Sequence, residues 1–224
     1  MTVYLIKSGI CLLLLLAAYL LLLEKEKMLR FNRFFLLASL VLSLTIPVFT
    51  IQLPAVKLPM ARIAPVQYIL DNDISATVTT HHHIPTNNIT IPGDVLPLSF
   101  YLLITYAIIV CILFIRFIRN LLVIYASIQN NTQVTSYNAT IVLVPGDIIP
   151  YSFSKYIFVS KNAYENSAIE NELLLHELTH VNQKHTLDIL FIEMLKVIFW
   201  FNPVFILYKR AIQLNHEFLA DEGV

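Results

Sequence analysis

Charge is scarce in this chain. Only 13% of its residues are Asp, Glu, Lys or Arg, against 57% hydrophobic, and soluble domains carry about twice that charged fraction. The shortage excludes an ordinary soluble globular domain and indicates a membrane protein. The 15 basic and 15 acidic residues cancel, so nothing in the charge points to nucleic acid or to an acidic substrate. Cysteine is almost absent. Cys11 and Cys111 both lie in apolar runs, where they read as small hydrophobes rather than as a disulfide. The first apolar run also lacks a strongly basic leader and a small-residue cleavage site, so it reads as a retained anchor rather than a signal peptide.

What the chain has in abundance is long apolar sequence. Segments 3–23, 34–51 and 95–115 each approach the ~20 residues that cross a bilayer as a helix. Lys25, Lys27, Arg30 and Arg33 lie between the first two, and Arg116 and Arg119 follow the third. Basic loops stay on the cytoplasmic side, which puts the N-terminus and segment 52–94 outside. That outer segment holds Pro54, Pro59, Pro65, Pro85 and Pro92 and reads as an irregular loop. Its run His81-His82-His83 reads as solvated loop, because adjacent side chains on an extended strand alternate and cannot all face one metal. Asn88-Ile89-Thr90 matches a glycosylation acceptor pattern.

The rest, residues 123–224, reads as a cytoplasmic domain. Thr140–Val144 and Tyr156–Ser160 have strand character, with a turn at Pro145-Gly146-Asp147. Tyr156–Ser160 is placed to be an edge strand that aligns a substrate backbone, or else a plain packing strand. Ser167-Ala168-Ile169-Glu170 fits a capping box and predicts a helix from about Ser167, sending Leu173, Leu174, Leu175 and Leu178 into the core.

On that helix stands His176-Glu177-Leu178-Thr179-His180, an HExxH pattern. Residues four apart share a helix face, so His176 and His180 can offer two imidazole nitrogens to one zinc ion. Glu177 beside them can act as general base. Zinc needs a third protein ligand. His185 is one candidate. A third histidine at HExxHxxGxxH is excluded, because those positions hold Gln183 and Thr186. Glu217 is the better candidate. It lies four residues before Asp221, on one helix face, and Asp221 can take the N–H of a ligand histidine. HExxH followed by Glu-x-x-Ala-Asp is the gluzincin signature.

Segment 187–208 is apolar enough to suggest a fourth span. A crossing would put His180 and Glu217 ~30 Å apart on opposite sides of the bilayer. The chain must therefore turn back, and Asn202-Pro203 supplies a helix start. The expectation is a helical hairpin over 187–221 with its tip near Phe201 and Asn202. Leu190, Phe191, Leu195, Ile198 and Trp200 would face Phe205 and Ile206, the spans or lipid. Glu193 and Lys196, one turn apart, would pair.

HELTHVNQKHTLD, FWFNP and NHEFLAD, with PYSFSKYIFVS before them, resemble the BlaR/MecR-type antirepressor membrane zinc metallopeptidases, bacterial sensor-transducers. The resemblance implies an α-helical integral membrane protein of the bacterial inner membrane with a cytoplasmic α+β gluzincin-like zinc peptidase domain. It implies one Zn2+ per chain on His176, His180 and Glu217, with Glu177 as general base and Asp221 orienting a ligand histidine, His176 foremost. His185 and Asp188 would serve as structural support. Tyr151, Tyr156, His216 and Arg210 are the candidates for stabilising the oxyanion or touching substrate. The partners implied are lipid, a protein substrate (a DNA-binding repressor or the chain itself) and a second copy in a homodimer, with no direct contact to nucleic acid. The chain stops three residues after Asp221, where the family usually continues into a further span and an outer domain. The expectation is a C-terminally truncated domain, and no penicillin-binding motif is present. The rival readings are a membrane quality-control peptidase of the HtpX kind and a catalytically silent membrane receptor or scaffold.

Overall fold

The computed structural model describes residues 2–49, 97–136 and 138–224. The histidine run at 81–83 and the acceptor pattern at 88–90 lie outside them. Seven α-helices and a four-stranded mixed sheet make up the described chain.

Helix α1 (Thr2–Ala18) continues through a π-helical turn, Tyr19–Leu23, and α2 (Leu29–Thr45) ends in a 3-10 turn, Ile46–Val48. The two pair as a hairpin. Asn32 Nδ2 donates to Leu23 O at 2.9 Å at one end, and the Tyr4 hydroxyl donates to Leu44 O at 2.7 Å at the other. Helix α3 (Leu98–Asn130) has 33 residues. Among the described residues, Val3–Leu23, Leu29–Val48 and Leu98–Asn130 are helices long and apolar enough to cross a membrane. The second therefore starts earlier than position 34, and the third runs well past 115. At 1.5 Å per residue α3 is about 50 Å long, ~20 Å more than the hydrocarbon core. Arg116 and Arg119 lie inside it rather than at its end, because charge ends a membrane segment without ending a helix.

The sheet is ordered β1-β2-β4-β3, with β1 Thr132–Ser136, β2 Ala139–Val144, β3 Tyr151–Phe153 and β4 Tyr156–Ser160. β2 runs parallel to β4, and the two outer pairings are antiparallel. Strand β4 is thus interior, and the edge beside it is β3. Residues alternate between the faces of a strand. Ile141, Leu143, Ile157 and Val159 pack with Val181, Leu174 and Leu178. Val142 and Phe158 turn the other way, onto Ile128 and Ile124 of α3. Gly146, with φ +97°, is where the chain leaves β2 toward the far edge.

The expected capping box does not form. A short helix, α4 (Lys161–Glu165), follows β4. Ser167 takes φ +52° and its N–H bonds Tyr164 O at 3.1 Å, so it terminates α4. The motif helix α5 runs Asn171–Asn182, with Glu170 at its N-cap. Leu174 and Leu178 join the core, but Leu175 is exposed. Lys184, at φ +56°, breaks α5 from α6 (His185–Ile198).

Helices α6 and α7 (Val204–Asp221) form a hairpin with its turn at 199–203. Asn202 Oδ1 accepts from Val204 N at 3.0 Å, which caps α7. Leu195 and Phe205 are buried, whereas Phe191, Trp200 and Ile206 are exposed. Ile192, Leu195, Phe205, Tyr208 and Ile212 pack with Leu12, Leu16, Leu36 and Leu40 of the α1–α2 pair. The Tyr208 hydroxyl reaches Leu12 O at 3.3 Å and accepts from the Ser39 hydroxyl at 3.0 Å. Leu12 is about 17 Å along α1 from Leu23. The hairpin therefore lies beside the apolar part of the first two helices, held by close packing and buried hydrogen bonds. On it Glu193 binds Lys196 at 3.2 Å and also Lys209 at 2.5 Å.

Candidate metal centre

The hairpin returns α7 to the base of α5. His176 and His180, one turn apart on α5, share its inner face. Their Nε2 atoms are 3.2 Å apart. Glu217 of α7 brings Oε2 to 3.4 Å from His176 Nε2 and Oε1 to 4.0 Å from His180 Nε2. All three ligand atoms lie within 4.8 Å of one another. Tetrahedral zinc with ligands at ~2.0–2.2 Å separates its ligand atoms by about 3.4 Å, so the spacing suits that ion.

The hydrogen bonds on the far sides of the rings give a second test. His176 Nδ1 lies 3.0 Å from Asp221 Oδ1, so Nδ1 is the donor, and in the neutral ring the lone pair lies on Nε2. His185 Nε2 faces the Gln183 side-chain oxygen at 3.2 Å. Burial first, then the neighbouring rings of His216 and His180, push the His185 pKa down to about 3, so this ring is neutral. Its Nε2 donates to Gln183 and its Nδ1 accepts. His180 Nδ1, 2.8 Å away, is then the donor, and His180 too presents a bare Nε2. Burial also lowers the His180 pKa and keeps that ring uncharged. Two bare nitrogens 3.2 Å apart repel one another unless a cation lies between them and a carboxylate. The donor set therefore fits a divalent metal.

Glu177 is buried beside these residues. Burial raises its pKa, and hydrogen bonds from Ser152, through both side chain and backbone, act in the opposite direction. Ser152 belongs to the edge strand β3, which the sequence does not announce because three residues are too few for a periodic signal. With Tyr151 and Phe153 it lines a cavity of about 370 Å3 that His176, His180, Glu177 and Glu217 also line. A strand edge facing a cavity can pair with an extended peptide. Thr186 Oγ1 accepts from Ser154 N at 2.8 Å and ties the tip of the β3–β4 turn to α6.

The remaining candidates separate. Tyr151 lines the cavity, with its ring stacked 4.7 Å from that of Phe158. Burial raises its pKa, which keeps the hydroxyl protonated. His216 also lines the cavity, but its Nε2 is engaged by Asp188 Oδ2 at 2.9 Å. Tyr156 packs against the α3 side of the sheet. Arg210 is exposed and outside the cavity lining. Arg33, read in the sequence only as a basic residue between two spans, lies in α2 and reaches the site. It donates from Nε to Asp188 Oδ2 at 2.7 Å. Burial alone would raise the Asp188 pKa, but hydrogen bonds from His216 and Arg33 bring it below the ordinary carboxylate value.

Residues 151–224 match the family model described as BlaR1 peptidase M56. The matched segment runs from β3 to the end of α7 and contains the whole His-His-Glu cluster. That segment is similar to metallopeptidases of the BlaR1 type, and three of the described helices are long and apolar enough to cross a membrane. No curated protein matches the chain.

Proposed function

We propose that this M56 peptidase segment is a zinc-dependent endopeptidase site held at the cytoplasmic face of the bacterial inner membrane. In this reading it cleaves a protein, either the chain itself or a transcriptional repressor, to relay a signal. The observation that carries the reading is the convergence of His176 Nε2, His180 Nε2 and the Glu217 carboxylate within 4.8 Å, with Glu177 buried next to them. Zinc held there would supply Lewis-acid polarisation of the scissile carbonyl and of the attacking water. Glu177 accepts the proton of that water and returns it to the leaving amine. Its raised pKa suits both halves of that task. The free edge of β3 aligns the substrate backbone. Tyr151, protonated and on the cavity wall, is the donor best placed to stabilise the developing oxyanion.

The topology supports the cytoplasmic assignment. The Asn215 side chain of α7 donates to Leu29 O at 3.1 Å, where the basic loop of Lys25 and Lys27 meets the first turns of α2 with Arg30 and Arg33. Basic loops stay inside, so the cluster lies at the inner membrane surface, with residues 123–224 as the peptidase domain. The test uses the purified chain in detergent or liposomes, with cleavage products mapped by mass spectrometry. Glu177→Gln should keep its zinc and lose cleavage. Undiminished cleavage in that variant would refute the reading, and a signalling role unaffected by it would favour a silent receptor.

A further inference from the structure

The ligand cluster is not held by the peptidase segment alone. Arg33 stands in the second turn of α2, 155 positions from Asp188, and bonds its Oδ2 at 2.7 Å. The same oxygen accepts from His216 Nε2 at 2.9 Å. The His216 ring lies flat on His185, with centroids 3.9 Å apart and planes within 4°. His185 Nδ1 in turn meets His180 Nδ1 at 2.8 Å. Asp188, His185 and His216 are all buried, and the Arg33 side chain is 16% exposed. Every joint in this series is either a charged or buried hydrogen bond or a face-to-face stack. Breaking one of the hydrogen bonds would leave a buried polar atom unpaired, and the stack keeps His185 and His216 in register.

We propose that Arg33 is a positioning residue of the metal centre, through which the first helical hairpin sets the orientation of the His180 imidazole. The inference rests on the metallopeptidase reading. Arg33 touches neither metal ligand nor cavity. It fixes Asp188, which fixes His216, against which His185 is stacked, and His185 Nδ1 is hydrogen-bonded to His180 Nδ1. A shift of the α1–α2 pair against α6 is thereby delivered to a ligand without movement of the ligand helix. Partners of ligand histidines commonly alter metal affinity 10–100-fold. A plain tether between α2 and α6 would instead alter only the stability of the fold.

The experiment compares the full chain in detergent with Arg33→Gln, Asp188→Asn, the double variant and Arg33→Lys, with Arg30→Gln as an exposed control one turn earlier on α2. Zinc affinity is read by chelator competition, ligand geometry by the visible spectrum of the cobalt-loaded protein, and fold stability by melting of the metal-free chain. Arg33→Gln and Asp188→Asn should each weaken zinc about 10-fold and change the cobalt spectrum. The double variant should be no weaker than the worse single, because both act through one path. Arg33→Lys should recover part of the loss, since it restores the charge without the planar Nε donor. Arg30→Gln should match the parent. If Arg33→Gln fails to fold, Arg33→Lys and the near-isosteric Asp188→Asn decide the matter by the same readouts. A lower melting temperature with parental zinc affinity and spectrum would overturn the inference and leave the metallopeptidase reading intact. Absence of zinc binding in the parent would overturn both.

Discussion

Asp221 is the most direct handle on how the histidines are prepared for metal. It accepts from His176 Nδ1 at 3.0 Å and so holds the lone pair on Nε2, the atom that faces the cluster. In Asp221→Ala the free ring can place its proton on either nitrogen, and the imidazole is free to turn. The ring also loses the negative charge that makes it a stronger donor to metal. Loss of such a partner costs about 10–100-fold in affinity. The Asp221 side chain is 68% exposed, so water replaces part of what is removed. The expected loss is therefore at the low end, about 10-fold, or ~1.4 kcal/mol. Asp221→Asn, which can still accept through its amide oxygen, should lose less. Glu217→Ala removes a ligand outright and should lose far more than either. Chelator competition at neutral pH orders the three. An Asp221→Ala variant that binds zinc like the parent would mean that this hydrogen bond does not select the tautomer.

Three further outcomes follow from the same geometry. Ser152 opposes the burial that raises the Glu177 pKa, so Ser152→Ala should move the acidic limb of the pH–rate profile to higher pH; a limb left in place would separate Ser152 from the base. Asp188 has a folded pKa below its free value of 3.8. Its contribution to stability is therefore complete above that value and lost as pH falls through the lower folded one. Melting of the parent across that acid range should show the loss, and Asp188→Asn should flatten it. Glu193→Ala leaves Lys196 and Lys209 facing one another across the hairpin without their shared carboxylate. The three are about a quarter exposed, so a loss of roughly 1–3 kcal/mol is expected, below that of a fully buried pair, read as faster proteolysis or hydrogen exchange of α6 and α7.

Much of the centre was legible because it is periodic. His176 with His180, and Glu217 with Asp221, are each spaced four apart, and a helix alone puts each pair on one face. The hairpin followed from Asn202-Pro203 together with the requirement that α5 and α7 end on the same side of the bilayer. Other features have no local signature. Ser167-x-x-Glu170 reads as a helix start, yet Ser167 closes the preceding helix with a left-handed φ of +52°, and side-chain propensity does not distinguish these ends. Strand β3 is too short to show alternation, so the edge position went to β4. Arg116 and Arg119 mark a membrane boundary, but nothing in them stops α3. The Arg33–Asp188 contact joins positions 155 apart, where no pattern within either segment points to the other.

The central claim is that His176, His180 and Glu217 bind zinc together. X-ray absorption at the zinc edge of the purified chain, with metal content measured on the same sample, tests it most directly. The account predicts about one zinc per chain with two imidazole nitrogens and carboxylate or water oxygens at ~2.0–2.2 Å, and loss of that signal in Glu217→Ala. A first shell containing sulfur at ~2.3 Å, or a spectrum unchanged in Glu217→Ala, would contradict it.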